Sequence, residues 1–246
     1  VGFPASCPFV TAVGGTTGYE GGTEVVANPS NSAITSGGGF STIFTSKNGY
    51  NLDFQAEAVA KYKSSNSLSN SLPGYPTSRS RGLPDISAAA TNYRVIIDNK
   101  YVSLDGTSAA TPVMAGITAR AILENGGNRF GCINQILYKN SHIFFDVTKG
   151  QNSGAGSSIS KCPEEGNNIM GYPAAEGWDP ASGLGTLGTY PGGAHITYSA
   201  ALANEPLPPV PAPTPPPPFG KAYSTQNGSM TAAMLSLVFV IGLILF

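Results

Sequence analysis

Charge is what this chain lacks most. Asp, Glu, Lys and Arg make up 11% of its 246 residues, where a soluble domain has about 25%. The formal net charge is -1, which gives nucleic acid no basic surface to bind. Few carboxylates also means that little is lost when acid protonates them, which fits work at low pH. Histidine occurs only at His142 and His195. Cysteine occurs only at Cys7, Cys132 and Cys162. No spacing among them is Cys-x-x-Cys, which argues against zinc, and an odd count leaves one thiol without an internal partner. Cys132 with Cys162 is the expected pair. Val1 is not an initiator methionine and no signal-peptide pattern opens the chain. The sequence therefore reads as part of a longer one, cut on its N-terminal side. Glycine and proline are abundant, at 31 and 20 residues, and the apolar fraction of 41% is enough for a core.

Residues 1–200 read as one globular unit. The run Pro8 to Gly15 is apolar and stops at glycines, which predicts a buried strand. Asn51 to Lys63 has helical spacing, with Phe54, Ala58 and Tyr62 on one face. Leu83 to Ala90, Tyr93 to Asn99 and Lys100 to Gly106 read as strands, the last two as a hairpin turning at Asn99 and Lys100. Thr111 to Glu124 is rich in Ala, Ile, Val and Met, with Gly126 as a stop signal. A helix that apolar on most sides is expected to be buried. Cys132 to Asn140 predicts a further short helix. Strands mixed with helices in this way indicate an α/β sheet.

Residues 201–223 are a linker dominated by proline from Glu205 to Pro218, an extended spacer by composition. Residues 224–246 end in the apolar run Met230 to Phe246. As a helix, Ala232 to Phe246 would reach roughly 22 Å at about 1.5 Å per residue, short of a bilayer core of about 30 Å. Small residues, a polar spacer and an apolar terminus follow the pattern of a GPI-anchor signal, with Gly220, Ala222 and Ser224 as attachment candidates. A single tail-anchor helix is the alternative. Either places the protein at the cell surface, secreted and held to the membrane. The one glycosylation sequon, Asn227-Gly228-Ser229, lies inside this tail.

The segment Leu104 to Val113, LDGTSAATPV, carries the chemistry. Gly106 permits a sharp turn after a strand, and Ser108 follows at a helix mouth, where backbone N–H groups are unpaired and carry partial positive charge. A serine hydroxyl becomes a nucleophile only when a base takes its proton, and the Ser108 N–H is placed to steady an oxyanion. Pro112 suits a first helical turn. The plainer alternative is that Ser108 caps the helix. No base is apparent nearby. Neither His142 nor His195 lies in a triad-like setting. Glu20, Glu24, Glu57 and Glu124 are isolated, Glu164 and Glu165 lie in a polar loop, and no helix carries a Glu and an Asp one turn apart.

GTSAATP resembles the serine motif shared by subtilisins and sedolisins. Five further segments resemble the sedolisins, the serine-carboxyl peptidases, and within them the tripeptidyl-peptidase type: FPASCPFVTAVGGT (Phe3 to Thr16), SGGGFS (Ser36 to Ser41), GLPDISA (Gly82 to Ala88), FDVTKG (from Phe145) and GWDPASGLGT (to Thr186). The resemblance runs over residues 1–189 in order. It implies a subtilisin-like three-layer α/β fold with a mostly parallel central sheet, of which this chain holds the C-terminal half. It also implies hydrolysis of peptide bonds in acid. In that family the base is a glutamate oriented by an aspartate, and a second, protonated aspartate completes the oxyanion hole. All three precede the FPAS segment, so the resemblance implies Ser108 as the one catalytic residue here and the N-terminal half of the same domain as its partner. A carboxylate base accounts for an acidic optimum.

The resemblance further implies one calcium ion. Its carboxylates would be Asp146 and Asp179, and its backbone carbonyls those of Val147, Ala175 and Gly177. Calcium takes six or more oxygens of this mixed kind, and Gly177 lets a carbonyl turn inward. Ala175 stands where the family has glycine. By the residues alone, two loop aspartates are equally turn formers. Asp85 reads as structural, beneath the serine strand, and Trp178 as a packing residue. Ser36 to Phe40 lacks the lysine and context of a phosphate loop and reads as a tight turn near the cleft. Two rivals stand beside the peptidase reading: a catalytically inert sedolisin-like surface protein, and a subtilisin-like peptidase with its histidine upstream.

Overall fold

The structure is a computed structural model and describes residues 2–18, 23–28, 30–65, 80–152, 171–187 and 194–204. Cys162, the linker from residue 205 onward, the apolar tail and the sequon lie outside the described residues, and so do the expectations attached to them; residues 201–204, expected in the linker, instead finish the helix Ala194–Asn204, with Leu202 buried in the core. Among the described residues no helix is long and apolar enough to cross a membrane.

Three strands form the central sheet in the order β2-β1-β5: β1 (Val13–Thr17), β2 (Val25–Val26) and β5 (Ile86–Ala89). β1 and β5 run parallel, with Val13 opposite Ile86 and Thr16 opposite Ala89. β2 joins antiparallel at Thr16 and Thr17. β3 (Gly39–Thr45) pairs antiparallel with β4 (Ser80–Leu83), and β6 (Tyr93–Ile97) with β7 (Lys100–Leu104). Four helices are interleaved: α1 (Asp53–Ser65), α2 (Thr107–Glu124), α3 (Asn134–Lys139) and α4 (Ala194–Asn204). The architecture is α/β, as the alternation of patterns indicates.

Local chemistry moves several boundaries. β1 begins five residues later than the apolar run, because Val10 N–H turns back to Cys7 O at 3.1 Å. The single strand expected from Leu83 to Ala90 is two, divided at Pro84, which has no N–H to give a ladder. The hairpin turns at Asp98 and Asn99, one residue earlier than expected. Both have positive φ, 50° and 59°, the conformation of a two-residue turn matched to strand twist. On α1 the buried stripe is Gln55, Val59 and Tyr62, with Phe54 and Ala58 at its margin.

The core joins α2, α3 and α4 to the sheet through Ala110, Met114, Ala121, Ile136, Leu137, Tyr198 and Leu202. α2 is less enclosed than its composition predicts. Only Ala110, Met114 and Ala121 are buried along it, while Val113 is 39% and Leu123 76% exposed. β1, β5 and α4 contact α2, and Ser108, Pro112, Gly116 and Ala119 lie on its exposed flank.

Candidate active site

The β6–β7 hairpin is an excursion from the end of β5, and its two ends are tied together. Gly106 N–H donates to Ala90 O at 2.7 Å, and Asn92 N–H to Asp105 Oδ1 at 2.8 Å. The chain therefore returns to the sheet at Gly106 and enters α2 at once. Gly106 is the residue before the first helical turn and makes no side-chain cap. A serine or aspartate there would fill the N–H groups of that turn; glycine leaves those of Thr107 and Ser108 open, with no helical acceptor.

Ser108 is the second residue of α2, exposed. It is inside the helix and is not its cap, so the plainer reading of its placement does not hold. The helix also starts four residues before the expected Thr111. Pro112 is thus its sixth residue, beyond the first turn, and gives no N–H to the Ser108 carbonyl. Thr111 Oγ1 bonds back to Thr107 O at 2.8 Å and steadies the same turn.

No base meets Ser108 among the described residues. Its hydroxyl has no carboxylate or imidazole hydrogen-bonded to it there. His142 is exposed in the short 3-10 turn Ser141–Ile143, and His195 falls in the first turn of α4. Glu24 is buried and held by Thr16 and Thr186 hydroxyls at 2.6 and 2.8 Å. Glu124 pairs with Arg120 at 2.8 Å on the surface, and Glu57 is exposed.

The two aspartates of the second constellation share one loop. Asp146 and Asp179, 33 positions apart, both bond into the segment 175–182. Asp146 Oδ2 accepts from Gly177 N–H at 2.7 Å. Asp179 Oδ1 accepts from Ala181 and Ser182 N–H at 2.9 and 2.7 Å, and Oδ2 from Ala175 N–H at 3.0 Å. Ser182 Oγ reaches both carboxylate oxygens of Asp179 and lies 3.3 Å from Val147 O. Gly177 has φ +85°, a left-handed turn that glycine adopts without a Cβ penalty. Ala175 donates its N–H to Asp179.

The electrostatics are those of two carboxylates short of positive charge. Burial pushes Asp179 up to about 7 despite its hydrogen bonds from Ala175, Ser182 and Ala181. Burial also raises Asp146, against the Gly177 hydrogen bond; Glu176 raises it further and Lys61 lowers it. Asp146 Oδ1 is buried without a hydrogen-bond partner, and a buried carboxylate oxygen left unpaired is one that a hard cation could satisfy. That unpaired oxygen and the two burial-raised carboxylates are compatible with a cation here; among the described residues no three His, Cys, Asp or Glu side chains group as a metal site. Val147 is wholly buried.

The interior also holds an ion pair that the sequence did not announce. Arg81 and Asp85 are fully buried. Asp85 also accepts from Ala12 N–H at 2.7 Å and from Tyr138 Oη at 3.2 Å, and its carbonyl takes Leu184 N–H at 2.8 Å. That structural role matches the expectation for Asp85. Trp178 is 3% exposed, and its Nε1 donates to Pro84 O at 2.9 Å. Its ring packs edge-on against Phe40 and Tyr62 at 6.0 Å each, the packing role expected of it. Ser182 was missed, although an aspartate three residues ahead of a serine is a recognisable side-chain-to-backbone turn signal.

Comparison with known proteins places this geometry in context. The subtilase family profile matches residues 1–152. Aorsin of Aspergillus oryzae is 36% identical over 210 residues, covering 75% of this chain and 28% of its own. Tripeptidyl-peptidase 1 of Macaca fascicularis is 37% identical over 192 residues, covering 75% and 31%. Physarolisin of Physarum polycephalum is 32% identical over 219 residues, covering 75% and 35%. The chain thus spans about a third or less of the length of these relatives. Among solved structures, a Pseudomonas sedolisin, a serine-carboxyl proteinase complexed with two molecules of pseudo-iodotyrostatin, superimposes with TM-score 0.53 at 27% identity, covering 80% of this chain and 47% of that one.

Proposed function

This chain belongs to the subtilase family, on its sedolisin side, with a subtilisin-like α/β fold, and from that membership we propose that it carries the nucleophile of a serine-type peptidase acting on peptides or proteins. The observation that carries the reading is the exposed Ser108 in an uncapped first helical turn, at the serine of GTSAATP. In this reading Ser108 Oγ attacks the scissile carbonyl, and the Ser108 N–H donates to the oxyanion as negative charge develops there. The proton leaves Oγ for a glutamate base with a partner aspartate. A third carboxyl stays protonated to complete the oxyanion hole. These acids would come from the portion of the relatives' domain that this chain does not span, so the N-terminal half of its own catalytic domain is the first partner. The uncovered, small-residue flank of α2 beside Ser108 supports such a partner. A carboxylate base makes the activity acidic.

Asp146 and Asp179, with the carbonyls of Val147, Gly177 and Ala175, would hold one calcium ion. The ion, when bound, would supply positive charge that brings both carboxylates to their ionised form and fixes the loop behind β5. Removing it by chelation is expected to lower the melting temperature, since the ion binds the folded form; an unchanged midpoint speaks against the site. Surface attachment through the C-terminal tail completes the reading. Release from cells by a phosphatidylinositol-specific lipase supports a GPI anchor, and retention supports a tail helix.

The experiment for the activity is Ser108→Ala in the full-length protein. Peptide cleavage should fall to background with an unchanged melting temperature. Turnover near wild type would remove Ser108 from the mechanism. An inert sedolisin-like surface protein is the second reading, favoured by one observation: no base reaches Ser108 among the described residues. Wild-type protein that cleaves no peptide at acid pH would select it.

A further inference from the structure

Two segments far apart in sequence meet at one hydroxyl. Ser36 is 1% exposed, and its Oγ is used twice. It donates to Ala181 O at 2.7 Å and accepts from Gly15 N–H at 3.0 Å. Ser36 N–H donates to Ala27 O at 2.8 Å, which fixes the backbone that presents the hydroxyl.

Each bond leads to a different site. On one side, Ala181 N–H donates to Asp179 Oδ1, so Ser36 grips the turn that carries the Asp179 carboxylate. On the other side, Gly15 belongs to β1 and lies against α2. A methyl built at Gly15 would stand 2.6 Å from Ala90 Cβ and 3.2 Å from Thr107 Cγ2. Thr107 opens α2, and Ser108 is the next residue. The approach is close all along this line. A Cβ at Gly14 would fall 2.8 Å from Ser36 Oγ, and one at Gly38 would fall 1.8 Å from Pro180 O. The glycines thus bring β1, the Ser36 loop and the Asp179 loop into backbone contact, and one serine hydroxyl bonds both flanking segments.

We propose that Ser36 is a positioning residue that locks β1 to the Asp179 loop and thereby sets where the first turn of α2 holds Ser108. Its effect on turnover rests on the reading of Ser108 as nucleophile; its coupling of the two segments does not. Ser36→Ala would leave a buried carbonyl and a buried N–H without their partner, and such groups are costly to leave unmade. Ser36→Cys keeps the shape and supplies only a weak donor and acceptor.

The test uses the full-length protein with both Ser36 variants, each alone and combined with Asp179→Asn. Two readouts are taken: amide exchange at Ala109 and Ala110, whose N–H groups close the first turn of α2 on Gly106 O, and kcat and KM on a peptide. Exchange at Ala109 and Ala110 should rise about tenfold in both Ser36 variants. Asp179→Asn should raise it in the wild type and add nothing further on Ser36→Ala. The value of kcat should fall at least tenfold while KM stays within twofold. Wild-type exchange in the Ser36 variants overturns the proposal. So does an Asp179→Asn effect of equal size in both backgrounds, or an unchanged kcat with raised exchange. Should Ser36→Ala fail to fold, Ser36→Cys alone decides. Cleavage that persists in Ser108→Ala defeats the nucleophile reading, while the exchange cycle still decides whether Ser36 couples the two loops.

Discussion

The Asp179 side chain sets two local effects against each other. Hydrogen bonds from Ala175, Ser182 and Ala181 favour its ionised form, yet burial outweighs them and pushes its pKa up to about 7, from an ordinary 3.8 for an exposed aspartate. In metal-free protein the folded form keeps a proton between those limits that the unfolded form has lost. Rising pH therefore favours unfolding through that window. The metal-free melting temperature should be highest near pH 4 and fall toward pH 7, to the extent that this one group controls it. Calcium favours the ionised carboxylate and should flatten the fall. Calorimetry across this range, with chelator and with calcium, checks both directions. An identical pH profile in the two conditions would count against a cation at Asp146 and Asp179. Asp146 and Asp179 were singled out through the family resemblance, since by the residues alone two loop aspartates are equally turn formers. Their pKa shifts were not legible, because burial depends on what the fold lays over them.

At the scale of elements, the sequence announced the hairpin, the three helices with apolar spacing and the strand that ends in glycines. It misplaced ends where a side chain or a missing N–H overrides the pattern: Pro84 divides one strand into two, and glycine at position 106 opens α2 four residues early. The Arg81–Asp85 pair shows what periodicity cannot reveal. Arg81 lies on a four-residue strand buried throughout, where composition alone favours an apolar residue. Its guanidinium joins β4 to Asp85, and Asp85 in turn holds Ala12 ahead of β1 and Tyr138 of α3. Removing one member of such a pair leaves a buried charge uncompensated. Arg81→Met should cost on the order of 3–5 kcal/mol, read from denaturant midpoints at constant slope. A loss below about 1 kcal/mol would mean that Asp85 finds water or a proton instead.

For the whole molecule, the decisive feature is the bare flank of α2. A helix with this composition was expected to be enclosed, and the described elements enclose one side of it. In the proposed peptidase the other side is covered by the remainder of the domain. Leu123→Glu in the full-length protein tests this directly. An exposed site changes stability by about 0.5 kcal/mol or less, whereas burying an unpaired carboxylate costs several times that. A clear fall in melting temperature is expected; none would leave the flank facing solvent. Ser108 was legible as the proposed nucleophile because a motif singles it out, while no base for it was, and none meets its hydroxyl among the described residues. The packing of Trp178 has a practical side. It is the only tryptophan in the chain, dry, and fastened by its indole nitrogen beneath the segment that holds Asp179. The molecule therefore carries a single built-in fluorophore. Its emission should shift to the red as that segment loosens, so a spectrum taken during a titration follows the event without any label.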